Sequence, residues 1–288
     1  MIEILRPGLL TTIQDLGRPG RTALGVGASG AADRGSLRLA NRLVANSESA
    51  AALELTYGSF AARFHMPATI ALTGAPCPVA LDGRLVGMNG PIHLRAGQRL
   101  EIGVPTEGLR TYLAVRGGID VPPVLGSRAT DTLSGIGPPL PAPGTRLPIG
   151  ADVDGYPLVD LAPVRGYGDE VILRIVPGPR DDWFAPSALA ALCGGPYQVT
   201  ADSNRIGIRL SGPPLERAIH RELPSEGMVA GALQVPPNGQ PVLFLVDHPV
   251  TGGYPVIAVI TDQDIDRAAQ LRPGQSVRFE RRARGRGL

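Results

Sequence analysis

The sequence predicts a mainly β fold with a few short helices. Its 288 residues include 38 Gly and 29 Pro, spread without a period, which is typical of many short strands joined by tight turns. Short apolar runs bounded by Gly or Pro recur along the chain. The apolar content of 43% with 19% charged residues indicates a globular protein, long enough for one large domain or two ordinary ones.

The N-terminal half begins with a predicted strand at 1–5, ended by Pro7 and Gly8, and continues into a loop-like region at 11–33. A helix is expected at 36–45, since apolar residues fall on one face and either Asp33 or Ser36 can cap it. Further strands are predicted at 69–73, 79–81, 99–102 and 111–115.

The Pro- and Gly-rich stretch 133–168 is predicted to connect an N-terminal β domain with one helix, 1–132, to a C-terminal β domain, 169–288. In the second half a helix is expected at 181–192. Strands are predicted at 171–176, 197–201, 206–210, 241–246, 256–260 and 276–280. Segments 94–102 and 271–279 echo each other, which favours either two related β domains or chance similarity of turn-plus-strand sequences.

Composition excludes several kinds of chemistry. All 28 basic residues are Arg, so a Walker A loop, a Schiff base and a Ser–Lys pair are impossible, and any nucleotide must be held by Arg, backbone N–H groups or a partner chain. Cys77, Cys193 and the four scattered His give no metal-ligand spacing, and we expect free thiols. Aromatic residues do not interleave with basic ones, so no nucleic acid is expected, and no apolar run could span a membrane.

The first candidate segment, 11–33, carries three polar side chains between turns. Gln14, Asp15 and Arg18 place an amide, a carboxylate and a guanidinium within five positions, and we interpret them as substrate-binding residues. The alternative is an Asp–Arg pair that only holds the loop together.

The second segment, 222–255, is denser in such groups. Glu226 and Asp247 are candidates for proton transfer and Gln234 for orienting a carbonyl group, so all three are predicted to be catalytic. The alternative is a tight hairpin with a solvated acid. Glycine allows backbone to approach a ligand closely, so substrate binding is predicted for Thr251, Gly252, Gly253 and Tyr254.

Asn204 and Arg205 precede a predicted strand and add further donors. The planar guanidinium of Arg205 suits a carboxylate or a phosphate, so both residues are predicted to bind substrate. The alternative is a surface Arg beside a turn.

At these residues the chain resembles a known family, that of KipA and allophanate hydrolase subunit 2, also called the family of the 5-oxoprolinase C subunit or the biotin-dependent carboxyltransferase family. The resemblance implies tandem cyclophilin-like β-barrel domains. The matching motifs run in order along nearly the whole chain and are TTIQDLGR at 11–18, SGAAD at 29–33, ALE at 52–54, LTGA at 72–75, YLAVRGGI at 112–119, GSRATD at 126–131, SNRIG at 203–207, ELxSEG at 222–227 and GALQVPP at 231–237.

The resemblance also implies a function in a complex. It implies a cytoplasmic subunit of a hydrolase that acts on C–N amide bonds. The first reaction that it implies is the ATP-dependent opening of 5-oxoproline to glutamate. The implied partners are a KipI or allophanate hydrolase subunit 1 type protein and a LamB/YcsF-type third subunit. ATP is expected in the complex, and neither metal nor covalently attached biotin on this chain. The alternatives are allophanate hydrolase subunit 2 in urea metabolism and a non-catalytic regulator that binds a KipI-like inhibitor.

Overall fold

A computed structural model describes residues 1–164, 166–168 and 170–282. The chain divides into two compact units, the first made of Met1–Arg21 and Ala28–Tyr167, the second of Thr22–Gly27 and Gly168–Leu288. Arg165, Asp169 and 283–288, which fall within the predicted connection and C-terminal domain, lie outside the described residues. The regular elements of the described part are mostly strands, with three short α-helices and a closed barrel, which confirms the predicted fold class.

The first unit contains two antiparallel sheets. Their strands are β1 (Ile2–Arg6), β2 (Leu10–Gln14), β3 (Ala52–Thr56), β4 (Phe60–Phe64), β5 (Ala68–Gly74), β6 (Val79–Leu81), β7 (Arg84–Val86), β8 (Pro91–Leu94), β9 (Arg99–Ile102), β10 (Arg110–Val115) and β11 (Arg146–Leu147). The six-stranded sheet has the order β11-β1-β4-β9-β6-β7, and the five-stranded sheet has the order β2-β3-β10-β5-β8. Apolar side chains from both sheets, such as Ile4 and Phe64 of one and Leu53 and Leu113 of the other, form one core cluster. Burying these faces against each other supplies the main stabilisation of this unit.

Helix α1 (Arg34–Leu43) covers the other face of the five-stranded sheet. Leu37 and Ala40 pack with Ala71 and Tyr112 in a second core cluster. The Asp33 carboxylate accepts a hydrogen bond from the Ser36 N–H at 2.9 Å, which confirms the predicted cap.

The second unit contains the elements β12 (Glu170–Pro177), α2 (Ala188–Gly194), β13 (Tyr197–Val199), β14 (Gly207–Ser211), β15 (Glu226–Gly227), β16 (Ala232–Gln234), β17 (Val242–Phe244), β18 (Thr251–Gly252), β19 (Val256–Ile260), α3 (Asp262–Ala268) and β20 (Ser276–Arg281). Seven of the strands form a closed barrel of order β12-β19-β16-β17-β14-β13-β20. Apolar residues of the strands fill the interior, and β15 pairs with β18 as a separate two-stranded ladder. Closure leaves the barrel strands without free edges.

Two predictions of local structure are wrong. The helix predicted at 181–192 is a 3-10 turn, Asp181–Trp183, followed by α2, because Pro186 disfavours helical backbone at the residue before it. Part of the region predicted as loop-like at 11–33 is strand β2, which pairs along its length with β3.

The stretch predicted to connect the domains contains a strand of the first unit. β11 lies within 133–168 and pairs with β1, with Leu147 opposite Ile2. The division between the units falls at Tyr167 and Gly168, near the end of that stretch.

Two further properties concern the described residues as a whole. Cys77 and Cys193 are free, half-buried thiols, as predicted, and burial raises the pKa of each. Over 1–164, 166–168 and 170–282, no helix has the length and apolarity needed to cross a membrane.

Candidate functional site

In the barrel, Arg205 and Asp247 form a buried ion pair. Arg205 precedes β14 and Asp247 follows β17, and the antiparallel pairing of these strands brings the two residues together. The guanidinium donates from Nε to Oδ2 at 2.9 Å and from Nη2 to Oδ1 at 3.1 Å, with 1% and 0% of the two side chains exposed. A carboxylate held in this bidentate way is committed to its partner. The geometry gives the pair a structural role, and catalysis by Asp247 and substrate binding by Arg205 stay predictions.

Glu226 occupies a different environment on the β15–β18 ladder, opposite Gly252. Its carboxylate accepts hydrogen bonds from Arg180, with Nε at 2.8 Å from Oε1 and 3.0 Å from Oε2, and from the Nη2 of the same side chain. The hydrogen bonds from Arg180 lower the pKa of Glu226. The side chain is 30% exposed, so this ionised carboxylate can meet water or a ligand.

Gln234 supports the turn that follows β18. Its Nε2 donates to the Tyr254 carbonyl at 3.0 Å. A Cβ at Gly252 would lie 2.6 Å from that nitrogen and 3.1 Å from the Met228 sulfur, so glycine permits the close approach. Glu226, Gln234 and the residues predicted to bind substrate, Thr251, Gly252, Gly253 and Tyr254, therefore belong to one small hairpin region.

Asn204 shapes the turn before β14. Its side-chain oxygen accepts hydrogen bonds from the backbone N–H groups of Ile206 at 2.8 Å and Gly207 at 3.2 Å. This is the usual local use of Asn in a turn, so its predicted substrate contact stays a prediction.

In the first unit, Asp15 is surrounded by donors. Its carboxylate accepts hydrogen bonds from Gly17 N–H at 2.7 Å, Ser127 Oγ at 2.6 Å and Arg128 N–H at 2.6 Å. These contacts tie the end of β2 to a segment more than a hundred residues later. The carboxylate thereby fixes two loops in the first unit.

Gln14 and Arg18 bind the same distant segment. Gln14 Nε2 donates to the Thr130 carbonyl at 2.8 Å, and Arg18 Nη2 donates to the carbonyl of Ala129. Both side chains are buried, yet Gln14 Oε1 and Arg18 Nη1 lack a hydrogen-bond partner among the described residues. Burying a polar atom without a hydrogen-bond partner costs roughly 1–3 kcal/mol of stability. These two atoms therefore suit a hydrogen bond to ordered water or to a polar ligand.

A buried network behind this cluster was not predicted. Glu54 on β3 accepts hydrogen bonds from Ala32 N–H at 2.9 Å and Tyr112 Oη at 2.7 Å, and its other oxygen lies 3.4 Å from Arg110 Nε. Burial, followed by the charge of Glu54, raises the pKa of Tyr112 well above its ordinary value. The network fixes the loop that precedes α1. The signal in the sequence that could have indicated this network is an acid, Glu54, in the middle of an apolar strand.

No group of three or more His, Cys, Asp or Glu within the described ranges is arranged to hold a metal ion. The polar groups of the two units are instead amides, guanidinium groups, carboxylates and backbone N–H groups. Such groups can bind and orient an amide or a carboxylate and move a proton.

Residues 24–281 match the family described as "Carboxyltransferase domain, subdomain A and B", and the chain belongs to that family. The chain is 42% identical to the C subunit of 5-oxoprolinase from Escherichia coli over 97% of its length and 90% of that protein. These matches confirm the family predicted from the motifs.

Urea amidolyases are also similar, although the chain spans only a small part of them. The identity to the Lachancea kluyveri protein is 33% over 96% of this chain and 17% of that protein. The crystal structure of the K. lactis urea amidolyase superposes with a TM-score of 0.90 at 30% identity, covering 98% of this chain and 19% of that one.

Proposed function

We propose that this chain is a subunit of an ATP-dependent 5-oxoprolinase, which opens 5-oxoproline to glutamate together with a KipI-type partner and a LamB/YcsF-type third subunit. The observation that carries the proposal is the 42% identity to a 5-oxoprolinase C subunit, which extends over 97% of this chain and 90% of that protein. A match that spans nearly both chains supports an equivalent place in a complex.

The substrate class agrees with the polar groups available. 5-Oxoproline carries a carboxylate, a ring carbonyl and a ring N–H. In the barrel, the Gly252–Gly253 backbone next to Gln234 offers donors for a carbonyl oxygen. In the first unit, considered by itself, Gln14 Oε1 and Arg18 Nη1 offer an acceptor and a cationic donor to a polar ligand.

Proton transfer is assigned to Glu226 rather than to Asp247. The Glu226 carboxylate is 30% exposed, so water and substrate can reach it, although its pairing with Arg180 lowers its pKa and weakens it as a base. Asp247 is fully buried against Arg205. ATP is assigned to the complex as a whole, because the chain has no Lys for a Walker A loop.

The test is glutamate release from 5-oxoproline by the reconstituted complex of this chain with both partners. We expect release that requires ATP and every chain. Glu226→Gln should lower it by about a hundredfold or more, the usual contribution of a general base. Glu222→Gln, at a nearby exposed acid, is the matched control and should leave the rate unchanged. No ATP-dependent glutamate from the wild-type complex would refute the proposal.

A second candidate is the hydrolysis of allophanate. It is favoured by the 33% identity to a urea amidolyase over 96% of this chain. Ammonia release from allophanate, measured with and without the KipI-type partner, separates the two substrates. A tight complex with the partner that turns over neither compound would instead indicate the regulatory alternative.

A further inference from the structure

An irregular segment of the first unit, 151–164, exposes a row of large apolar side chains. Tyr156 is 83% exposed, Leu158 94% and Leu161 68%, and Val153, Val159 and Val164 are each exposed by two fifths to a half. Together these side chains present on the order of 600 Å² of surface, at the upper end of the largest apolar patch on an ordinary monomer.

The segment is fixed to the first unit although its side chains point outward. The N–H of Asp154 donates to the Ala45 carbonyl at 2.8 Å, and the N–H of Ala162 donates to the Asn89 carbonyl at 2.8 Å. Between these anchors the Arg116 guanidinium lies 5.5 Å from the centre of the Tyr156 ring and donates to the Gly155 carbonyl. A segment ordered before binding loses less conformational entropy when a partner covers it.

A recess of about 520 Å³ opens beside this row. It is lined by Val153 of the segment, by Met66, Pro67 and Ile149, and by the polar side chains of Thr69, His93 and Arg116. The recess shares Val153 with the row and has room for a side chain from another protein.

The charge of the segment is one-sided. Residues 151–164 contain three acids, Asp152, Asp154 and Asp160, and no basic residue, a formal charge of −3. None of the three is ion-paired with another residue of the described ranges. A complementary surface would be apolar and flanked by Arg or Lys.

We propose that segment 151–164 and the adjoining recess are the docking surface for the KipI-type partner, which would present an apolar cleft bordered by basic residues. The inference takes its partner from the proposed function. It is supported by size, since about 600 Å² approaches the ~800 Å² that each partner contributes to a standard interface.

The test measures binding of the purified full-length chain to the purified partner by titration calorimetry, without any turnover. We expect Leu158→Asp with Leu161→Asp to weaken binding by about tenfold or more, as for apolar anchors at an interface. Leu9→Asp is the matched control, because Leu9 is 75% exposed in the same unit and lies outside the segment. The change of Asp152, Asp154 and Asp160 to Asn should weaken binding and reduce its salt dependence.

Three outcomes overturn the docking proposal. The first is that the wild-type chain does not bind the partner, and the second is that the control and the segment variants weaken binding equally. The third is that the chain self-associates and the segment variants abolish this self-association, since the surface would then join two copies of the chain. Glutamate release by the complex is scored separately. If the wild-type complex releases glutamate and the segment variants still bind the partner normally, only the docking proposal is refuted. If the segment variants lose binding but the wild-type complex releases no glutamate, only the proposed activity is refuted.

Discussion

The ion pair between Arg205 and Asp247 allows structure and catalysis to be separated by one set of variants. Asp247→Asn keeps the size of the side chain but removes its charge. Because both side chains are buried, at 1% and 0% exposure, the guanidinium loses the carboxylate charge that it pairs with here. Loss of one partner of a buried pair destabilises by about 3–5 kcal/mol, and the amide oxygen retains one of the two hydrogen bonds, so we expect about 2–4 kcal/mol.

The measurement is urea unfolding followed by the fluorescence of Trp183, the single tryptophan of the chain, which is buried in the second unit. Glu170→Gln is the control, because Glu170 pairs with Arg278 in the same unit but both side chains are about half exposed. Its free energy of unfolding should change by less than about 1 kcal/mol.

The double variant Arg205→Met with Asp247→Leu removes both charges, so it should be more stable than Asp247→Asn. If the pair is structural, glutamate release by the complex recovers together with stability. If stability recovers while release stays lost, the pair takes part in the reaction, through catalysis by Asp247 or a substrate contact of Arg205. An Asp247→Asn variant as stable as the Glu170→Gln control would refute the argument from burial.

Two further predictions concern the second unit. Gly252→Ala should destabilise by about 0.5–1.5 kcal/mol and lower glutamate release, because its Cβ would lie 2.6 Å from Gln234 Nε2 and would displace that amide from its hydrogen bond to the Tyr254 carbonyl. Gly253→Ala, whose Cβ has its nearest neighbour at 3.6 Å, should do neither, and equal effects would contradict the packing argument. Burial raises the pKa of Asp264, but hydrogen bonds from Arg174 outweigh it and the pKa is lowered. The stabilisation is therefore present above about pH 4 and lost as the pH falls through the folded pKa. In acid urea unfolding, Asp264→Asn should lose less stability below pH 4 than the wild type, and parallel pH profiles would contradict this assignment.

Strands whose signals are local could be predicted from the sequence. Val79–Leu81, Arg99–Ile102 and Val256–Ile260 have the predicted bounds, because the first and third are short apolar runs, the second alternates charged and apolar residues, and turn residues enclose all three. Strand β3 was missed since its sequence, ALELT, includes Ala and Glu, which are uncommon in strands, and it is held by pairing with two distant strands. Such pairing depends on tertiary contacts that no local window contains.

The echo between the two halves has a local physical cause. In each copy a Gln side chain accepts a hydrogen bond from a backbone N–H three residues earlier, Gln98 from Arg95 at 2.8 Å and Gln275 from Arg272 at 3.2 Å. The Gly between them adopts a positive φ, 87° at Gly97 and 83° at Gly274. The same turn chemistry therefore explains the similar sequences, whether or not the two units share an ancestor.

For the candidate site, residue types were predictable but their surroundings were not. The sequence indicated which carboxylates could transfer protons, yet three similar acids lie in three different environments. Asp15 is enclosed by donors from distant loops, Asp247 is sealed against Arg205, and Glu226 is 30% exposed beside Arg180. A general base must reach water or substrate, so exposure ranks Glu226 first. Arg180, which no motif marked, becomes a positioning residue, because it holds that carboxylate ionised at the exposed edge of the hairpin.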